Sequence, residues 1–432
     1  MALTLDPNAN QENQLLKWLR GLSWSNWPWH AWVGTAWIGP AGGVVAVVVV
    51  RAFMDDPVKL RLWGVDLNYV ATATIAGVVA WVLLWLFAGW FYAPFTTPAT
   101  ANARSHEESL NKLAMLDARA HALCDSPSTP AVPPSPPVTR SATVESACSE
   151  AKGYLDWVRG QMDGPGELRW VNGAGYIALK ERLHRAEEAL LKATPIDQLL
   201  DEELYDELRL KDSTIPNRDD LMGILRVVKK YLSDHQADKS ADPYIDSPEK
   251  VALVMTKVRY SINDFRDSSW NGLLQLRNYT MTTVLLTNIT LFAFACAAVF
   301  GGAKREAMLS ATVFLLVGAA VGFFNRLNTQ FQAQSAVEDY GLTNARLITI
   351  PAYSGLAAVA GVVITSVAGV ATGNKYPSLW TLFTLPPGTG LLVVAAAFGA
   401  APDLVLSRLA DASAKFKSGI ASTEPANRPS KY

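Results

Sequence analysis

The sequence predicts an all-α fold, in which a polytopic membrane helical bundle is joined to a small cytoplasmic helical domain. Half of the 432 residues are hydrophobic and only 18% are charged, which is apolar for a soluble chain of this size. Several stretches of roughly 20 residues, the length that crosses a bilayer, carry no charge. The long segment between them places its apolar residues at helical spacing and lacks the alternating pattern of strands.

The charge-free stretches predict about six membrane spans. They are residues 32–50, 70–95, 281–300, 308–324 and 350–371 and a last segment within 379–406. The last stretch is interrupted by Pro386 and Pro387, so it is either a short final span after a loop or a discontinuous, re-entrant one. An even number of spans places both termini and the segment 96–280 on one side of the membrane. That side carries eleven Lys and Arg residues near the spans against six opposite, so the positive-inside rule predicts that it is cytoplasmic.

Composition changes along the chain divide it into six regions. We expect an interfacial, Trp-rich segment (1–30), a two-span unit (31–95), a helix and Pro-rich linker (96–141), a cytoplasmic helical domain with a stalk helix (142–280), a four-span unit (281–406) and a cytoplasmic tail (407–432). Within the domain, apolar periodicity predicts helices over 142–162, 176–192, 195–211 and 219–233.

One helix is predicted to run from the domain into the membrane. Ser247 and Pro248 suit a helix start, and no proline or helix-stopping pair follows until after Gly301. Val251, Val254, Val258, Ile262 and Phe265 form a stripe that we expect to be buried. The charges end at Arg277, where the helix becomes apolar all round. This helix is either a lever between domain and membrane or only a tether.

Several blocks of the chain resemble an uncharacterised family of bacterial multi-pass membrane proteins. They are GYIALKERLHRAEEALL (175–191), DELRLKDSTI (206–215), INDFRDSSWNGLLQLRN (262–278), EDYGLTNARLITIPAYSGLAAVAGVV (338–363) and AAFGAAPDLVLSRLADASAKFKSGIASTE (396–424). The resemblance covers about 150–424. It implies a bacterial inner membrane and a four-span unit joined to the helical domain, and it carries no activity, cofactor or catalytic residue.

The domain offers one weak candidate for chemistry. His184 and Glu187 lie three residues apart on one helix face, which is a spacing used in helical metal sites. Acidic residues nearby alternate with Arg182, Arg185 and Arg209, so a network of salt bridges between helices is the stronger interpretation. Three cysteines are too few for a disulfide framework, and their spacing does not indicate zinc.

Polar residues near the membrane are the remaining candidates. Arg277 is expected at the headgroups, Asn288 within the third span, and Asp403 at a cytoplasmic vestibule beside the Pro386-Pro387 break. Asn288 either lines a pore or hydrogen-bonds a neighbouring helix. Gly318 and Gly322 form a GxxxG pair, which favours close helix packing.

These observations predict a protein without catalytic activity and without a cofactor. We expect a scaffold, sensor or signalling partner that acts through its cytoplasmic domain on an unknown cytoplasmic protein. The alternative is an oligomeric ion channel gated through the helix 247–300. The bilayer is the expected surroundings and a homo-oligomer is possible, whereas the net charge of −1 does not favour nucleic acid.

Overall fold

The computed structural model describes residues 35–53, 60–62, 65–67, 69–92, 97–125, 142–164, 167–236, 248–330, 342–370, 389–400 and 403–423. The described chain is almost wholly helical, which confirms that the fold is all-α. Its first elements are α1 (Ile38–Phe53), the strands β1 (Leu60–Leu62) and β2 (Val65–Leu67), α2 (Tyr69–Tyr92), α3 (Pro98–Ala101), α4 (Ala103–Ala120) and α5 (Ala142–Met162). There follow α6 (Leu168–Val171), α7 (Ala174–Lys192), α8 (Ile196–Lys211), α9 (Arg218–Gln236), α10 (Pro248–Phe300), α11 (Arg305–Gln330), α12 (Leu342–Val370), α13 (Thr389–Ala400) and α14 (Asp403–Ser422). The two short strands pair antiparallel between α1 and α2.

Within the described residues, four helices are long and apolar enough to cross a membrane, namely α2, α10, α11 and α12. The first and last predicted spans correspond to the shorter apolar helices α1, of 16 residues, and α13, of 12 residues. A perpendicular crossing needs roughly 20 residues, so these two helices do not reach that length within the described residues. The Pro386-Pro387 break lies outside the described residues.

Small residues bring the membrane helices close together. A methyl group added at Gly322 would lie 1.9 Å from the Ser354 hydroxyl of α12, and one added at Gly318 would lie 2.6 Å from the Ser354 carbonyl oxygen. A methyl group added at Gly399 of α13 would lie 2.5 Å from the Cα atom of Gly318. The close packing expected of the GxxxG pair is therefore present, and it joins α11, α12 and α13.

The largest hydrophobic core lies in the helical domain. It is built by α4, α5, α7 and the middle of α10, with buried side chains that include Leu116, Leu155, Leu183 and Leu273. The predicted helix 142–162 is observed with those bounds, and the other three predicted helices of the domain differ by no more than three residues at either end.

Segments outside the predicted domain also pack into it, including the start of α12 through Leu342. The helix α4 supplies Leu113 and Leu116 to the core, although it belongs to the predicted helix-and-linker region 96–141 rather than to the predicted domain. The C-terminal helix α14 places Phe416 so close to α10 that a methyl group at Gly272 would lie 2.5 Å from its ring. Residues 413–423 are thus packed onto the domain, since Phe416 and Ile420 contact its core.

Cys124 and Cys148 form a disulfide, which corrects the expectation from cysteine count. Cys124 lies in a π-helical turn, His121–Asp125, that continues α4, and Cys148 lies in α5. Their sequence separation of 24 residues spans the Pro-rich segment and shows no recognisable spacing. Only the packing of α4 against α5 brings the two sulfur atoms together.

The helix α10 is continuous over 53 residues, as predicted. Val251, Val258 and Ile262 are buried against α8 and α9, and Val254 and Phe265 are half-buried against the same clusters, so the expected stripe is present. The part after Arg277 is free of charge and packs against α1 and α2. We treat 278–300 as its membrane-spanning part, and it is the same rigid helix that forms one side of the domain.

Candidate functional site

A charged cavity of about 610 Å³ lies in the helical domain, between α4, α7, α8 and α10. Its walls carry four cationic side chains, Lys112, Arg119, Lys180 and Arg266. They also carry three carboxylates, Glu108, Glu187 and Glu202, together with His184 and Trp270. A volume of several hundred Å³ is typical of small-molecule sites, and so many charges in one cavity distinguish this space from a packing defect.

Helical periodicity explains why these side chains meet. Glu108, Lys112 and Arg119 are spaced by four and seven residues along α4, and Lys180, His184 and Glu187 by four and three along α7. Such spacing places each set on one helix face. On α10, Arg266 and Trp270 are four residues apart, so they line the cavity on the face that borders α7.

Ion pairs join the helices across the cavity. Lys112 Nζ lies 3.0 Å from Glu187 Oε2, which links α4 to α7. Lys180 Nζ lies 3.1 Å from Glu108 Oε2, a second link between the same helices. Arg119 Nη1 lies 2.9 Å from Glu202 Oε1 and links α4 to α8.

Trp270 makes cation–π contacts with two of the cationic side chains. Lys180 Nζ lies 4.2 Å from the ring centroid and the guanidinium carbon of Arg266 lies 5.1 Å from it. The ring of His184 stacks on the same indole with centroids 6.0 Å apart. Cations within about 6 Å of an indole ring are attracted by its quadrupole, so Trp270 helps to hold both side chains in the cavity wall.

His184 is a neutral, buried imidazole. Burial lowers its pKa well below the usual value, and the charges of Lys112 and Arg266 lower it further. Its Nδ1 atom lies 3.2 Å from Asp267 Oδ2 in a hydrogen bond, so α7 is joined to α10 here without a charged imidazolium.

Glu187 is held as a carboxylate. Burial by itself would raise its pKa, but Lys112, Arg259 and Arg209 bring that pKa well below the usual value. Its Oε1 atom lies 3.6 Å from Arg259 Nη1, in addition to the contact with Lys112. The two residues proposed as a metal pair therefore share a helix face but take different partners. Among the residues that the structure describes, no group of three or more His, Cys, Asp or Glu side chains is placed to hold a metal ion.

A buried ionic layer lies behind the cavity. The fully buried Arg259 of α10 contacts Glu202 at 2.8 Å and Asp206 at 3.0 Å, both on α8. Asn263, one turn further along α10, donates to Glu188 Oε1 at 3.0 Å and accepts from Arg209 at 2.9 Å. Sequence pattern indicated ion pairing between the helices but not the centre of the network. The signal available was a charged residue, Arg259, immediately beside the buried apolar stripe of α10.

The membrane candidates occupy structural positions where they are described. Arg277 Nη2 donates to the Val171 carbonyl oxygen at 2.9 Å, so it ties the stalk to the domain. Asn288 Nδ2 donates to the Trp37 carbonyl oxygen at 3.1 Å, which favours inter-helix bonding over a pore lining. Asp403 is the first residue of α14, and nothing is described of its side chain. Pro386 and Pro387 lie outside the described residues.

No family model, no curated protein and no solved structure matches the chain. The cavity and the helix that leads from it are therefore the features of the chain that bear on its function.

Proposed function

We propose that this chain is a membrane-bound sensor or signalling protein, in which the helical domain binds a small polar ligand and α10 carries the response into the membrane. One observation carries this proposal. Arg266 and Trp270 line the cavity, and the helix that bears them continues without a break to Phe300. A cavity wall and a membrane helix are thus one element.

The geometry supports mechanical coupling. The 35 residues from Arg266 to Phe300 extend about 50 Å at 1.5 Å per residue. No proline interrupts them, so a tilt or rotation at the cavity end would be transmitted along the helix. Asn288, near the middle of the membrane-spanning part, is bonded to the backbone next to α1, which gives the movement a defined contact to change.

The ion pairs around the cavity are the contacts between helices that a bound ligand would change. Lys112–Glu187, Lys180–Glu108 and Arg119–Glu202 each join two helices. A ligand shifts a conformational equilibrium only when it binds one arrangement more tightly than another. A charged ligand that exchanges one of these pairs for a contact with itself meets that requirement.

We also propose that the domain lies in the cytoplasm of a bacterial inner membrane. The Lys and Arg count of eleven against six supports this side. The disulfide Cys124–Cys148 supports the opposite side, because disulfides persist mainly in oxidising compartments. Labelling with a membrane-impermeant thiol reagent decides between them. In a Cys296→Ser background, a Lys152→Cys variant, exposed on α5, should react only in opened cells, and reaction in intact cells would place the domain outside.

The coupling is tested with a fluorophore at the far end of α10. Lys304 is exposed just after the helix, so a Lys304→Cys variant in a Cys296→Ser background can carry an environment-sensitive dye in proteoliposomes. We expect Arg266→Met, at the cavity, to change the emission of this dye. The matched control is Arg226→Met, an exposed arginine of α9 that is remote from the cavity, and it should leave the emission unchanged.

Equal emission in the two arginine variants would show that α10 is a tether and would refute the proposal. The channel alternative has less support from the described residues. Asn288 bonds to a neighbouring backbone, while Thr290 and Thr365 bond to carbonyl oxygens of their own helices. Ion flux across the same proteoliposomes would overturn the preference for a sensor.

A further inference from the structure

We propose that the cavity is a site for a small organic anion bearing a carboxylate or phosphate group, and that this anion replaces Glu108 as the partner of Lys180. The inference deepens the proposed function and rests on it for the role of the cavity. It is argued from the charges of the wall, from the burial of Lys180 and from the exposure of Glu108.

The wall carries more positive than negative charge. Four cationic side chains face three carboxylates, and Arg259 approaches two of those carboxylates, Glu187 and Glu202, from behind. The pKa of Lys112 reflects this excess of positive charge. Burial and the charge of Arg266 both lower the pKa of Lys112, against the influence of Glu187. A cavity in which cations disfavour one another is one in which an added anion is stabilised.

The Lys180–Glu108 pair is unequal in a way that suits exchange. The side chain of Lys180 is 7% exposed, whereas that of Glu108 is 55% exposed. Lys180 is fixed over the indole of Trp270, while Glu108 reaches it from the rim of the cavity. A carboxylate so exposed loses little when it returns to water. The lysine therefore remains in place and can accept an incoming anion in the position that Glu108 occupies.

Arg266 supplies the geometry for recognition. Like Lys180, it contacts the indole of Trp270 and lines the cavity, and a guanidinium group matches carboxylate and phosphate oxygens with paired N–H donors. The cavity volume of about 610 Å³ exceeds that of a single phosphate ion and suits a ligand with several carbon atoms or more than one anionic group. Exchange at Lys180 would also release one of the two pairs that join α4 to α7, so binding and movement would be linked.

The test uses citrate, pyrophosphate and inorganic phosphate as probes of the full chain in detergent. Binding is measured by calorimetry at constant ionic strength, with chloride as the balancing ion. We expect citrate or pyrophosphate to bind saturably to the wild type. Glu108→Gln removes the competing internal carboxylate, so it should bind the same anion more tightly, by up to about fivefold, the worth of a partly exposed ion pair. Lys180→Met should weaken binding by at least about tenfold.

Glu107→Gln is the matched control, because this neighbouring glutamate is also exposed and does not line the cavity. It should leave the affinity unchanged. Equal affinities in the Glu108 and Glu107 variants would overturn the exchange, and the absence of saturable binding by all three anions to both wild type and Glu108→Gln would overturn the site. If Lys180→Met fails to fold, the comparison of the two glutamate variants still decides. If the anion binds but does not change the emission of the dye at position 304, the sensor is refuted and the site is retained. If the emission differs between the Arg266 and Arg226 variants but no anion binds, the site alone is refuted.

Discussion

The disulfide Cys124–Cys148 gives a stability prediction whose size follows from chain length. A cross-link removes loop entropy from the unfolded chain, by about 2.1 plus 1.5R ln n cal/mol/K for a loop of n residues. With the sequence separation of 24 residues, the free energy of unfolding of the helical domain should be about 3.5 kcal/mol higher in the oxidised protein than in the reduced one. The two cysteines are 8% and 7% exposed, so reduction leaves two small apolar thiols in the same core and adds little cost of its own.

Pulse proteolysis of the full chain in detergent, at increasing urea concentration, measures this difference. For a slope of 1 to 3 kcal/mol per molar urea, reductant should lower the cleavage midpoint of the wild type by about 1 to 3 M. The Cys124→Ser variant should show no effect of reductant, whereas Cys296→Ser, which changes the free cysteine, should respond like the wild type. The reasoning is refuted if reductant shifts the wild type and Cys124→Ser by the same amount, or shifts neither.

Three further perturbations test the packing and the charges. Burial raises the pKa of Glu203 to about 7, so the folded domain retains a proton there that the unfolded chain loses above its usual pKa. The stability that this retained proton contributes is full below about pH 4.5 and is lost by about pH 7. As the pH rises through that range in urea titrations, Glu203→Gln should become more stable than the wild type, by up to about 3 kcal/mol. Gly399→Val should lower the melting temperature of the purified protein by placing a side chain against the backbone of α11, at a cost of about 2 kcal/mol or more, and an unchanged melting temperature would contradict this packing. Arg259→Met should destabilise the domain by up to about 3 to 5 kcal/mol, because it removes the closer of the two arginines paired with the buried Asp206 and leaves only Arg209, at 3.9 Å. Adding Asp206→Asn should recover part of that loss in the same urea assay.

Local pattern explains the parts that sequence predicted correctly. The apolar stretches of α2, α11 and α12 need only their own composition to be recognised as membrane helices. The stripe of Val251, Val258 and Ile262 and the charge-free part of α10 predicted a helix that changes surroundings along its length, because periodicity and charge are properties of the segment itself. The same reasoning predicted ion pairs between helices from acids and arginines in alternation.

The positions of distant segments could not be read in this way. Helix α4 and the C-terminal helix α14 look like a linker and a tail, since a short amphipathic helix does not show which surface it covers. Neither Lys112 nor Lys180 belongs to a recognisable motif. Lys112 meets Glu187, and Lys180 meets Glu108, only because α4 packs beside α7. The pairing of Cys124 with Cys148 has the same origin.

By itself the sequence determined that the chain is helical, that it contains helices long and apolar enough to cross a membrane, and that one long helix joins such an apolar part to a more polar helical domain. These properties follow from local hydrophobicity and helical period, which each segment carries alone. Tertiary structure alone decided that four cations and three carboxylates from separate helices share a cavity, and that α10 forms one of its walls. The physical reason is that ion pairs and cavities are made between segments far apart in the chain, at distances set by how helices pack.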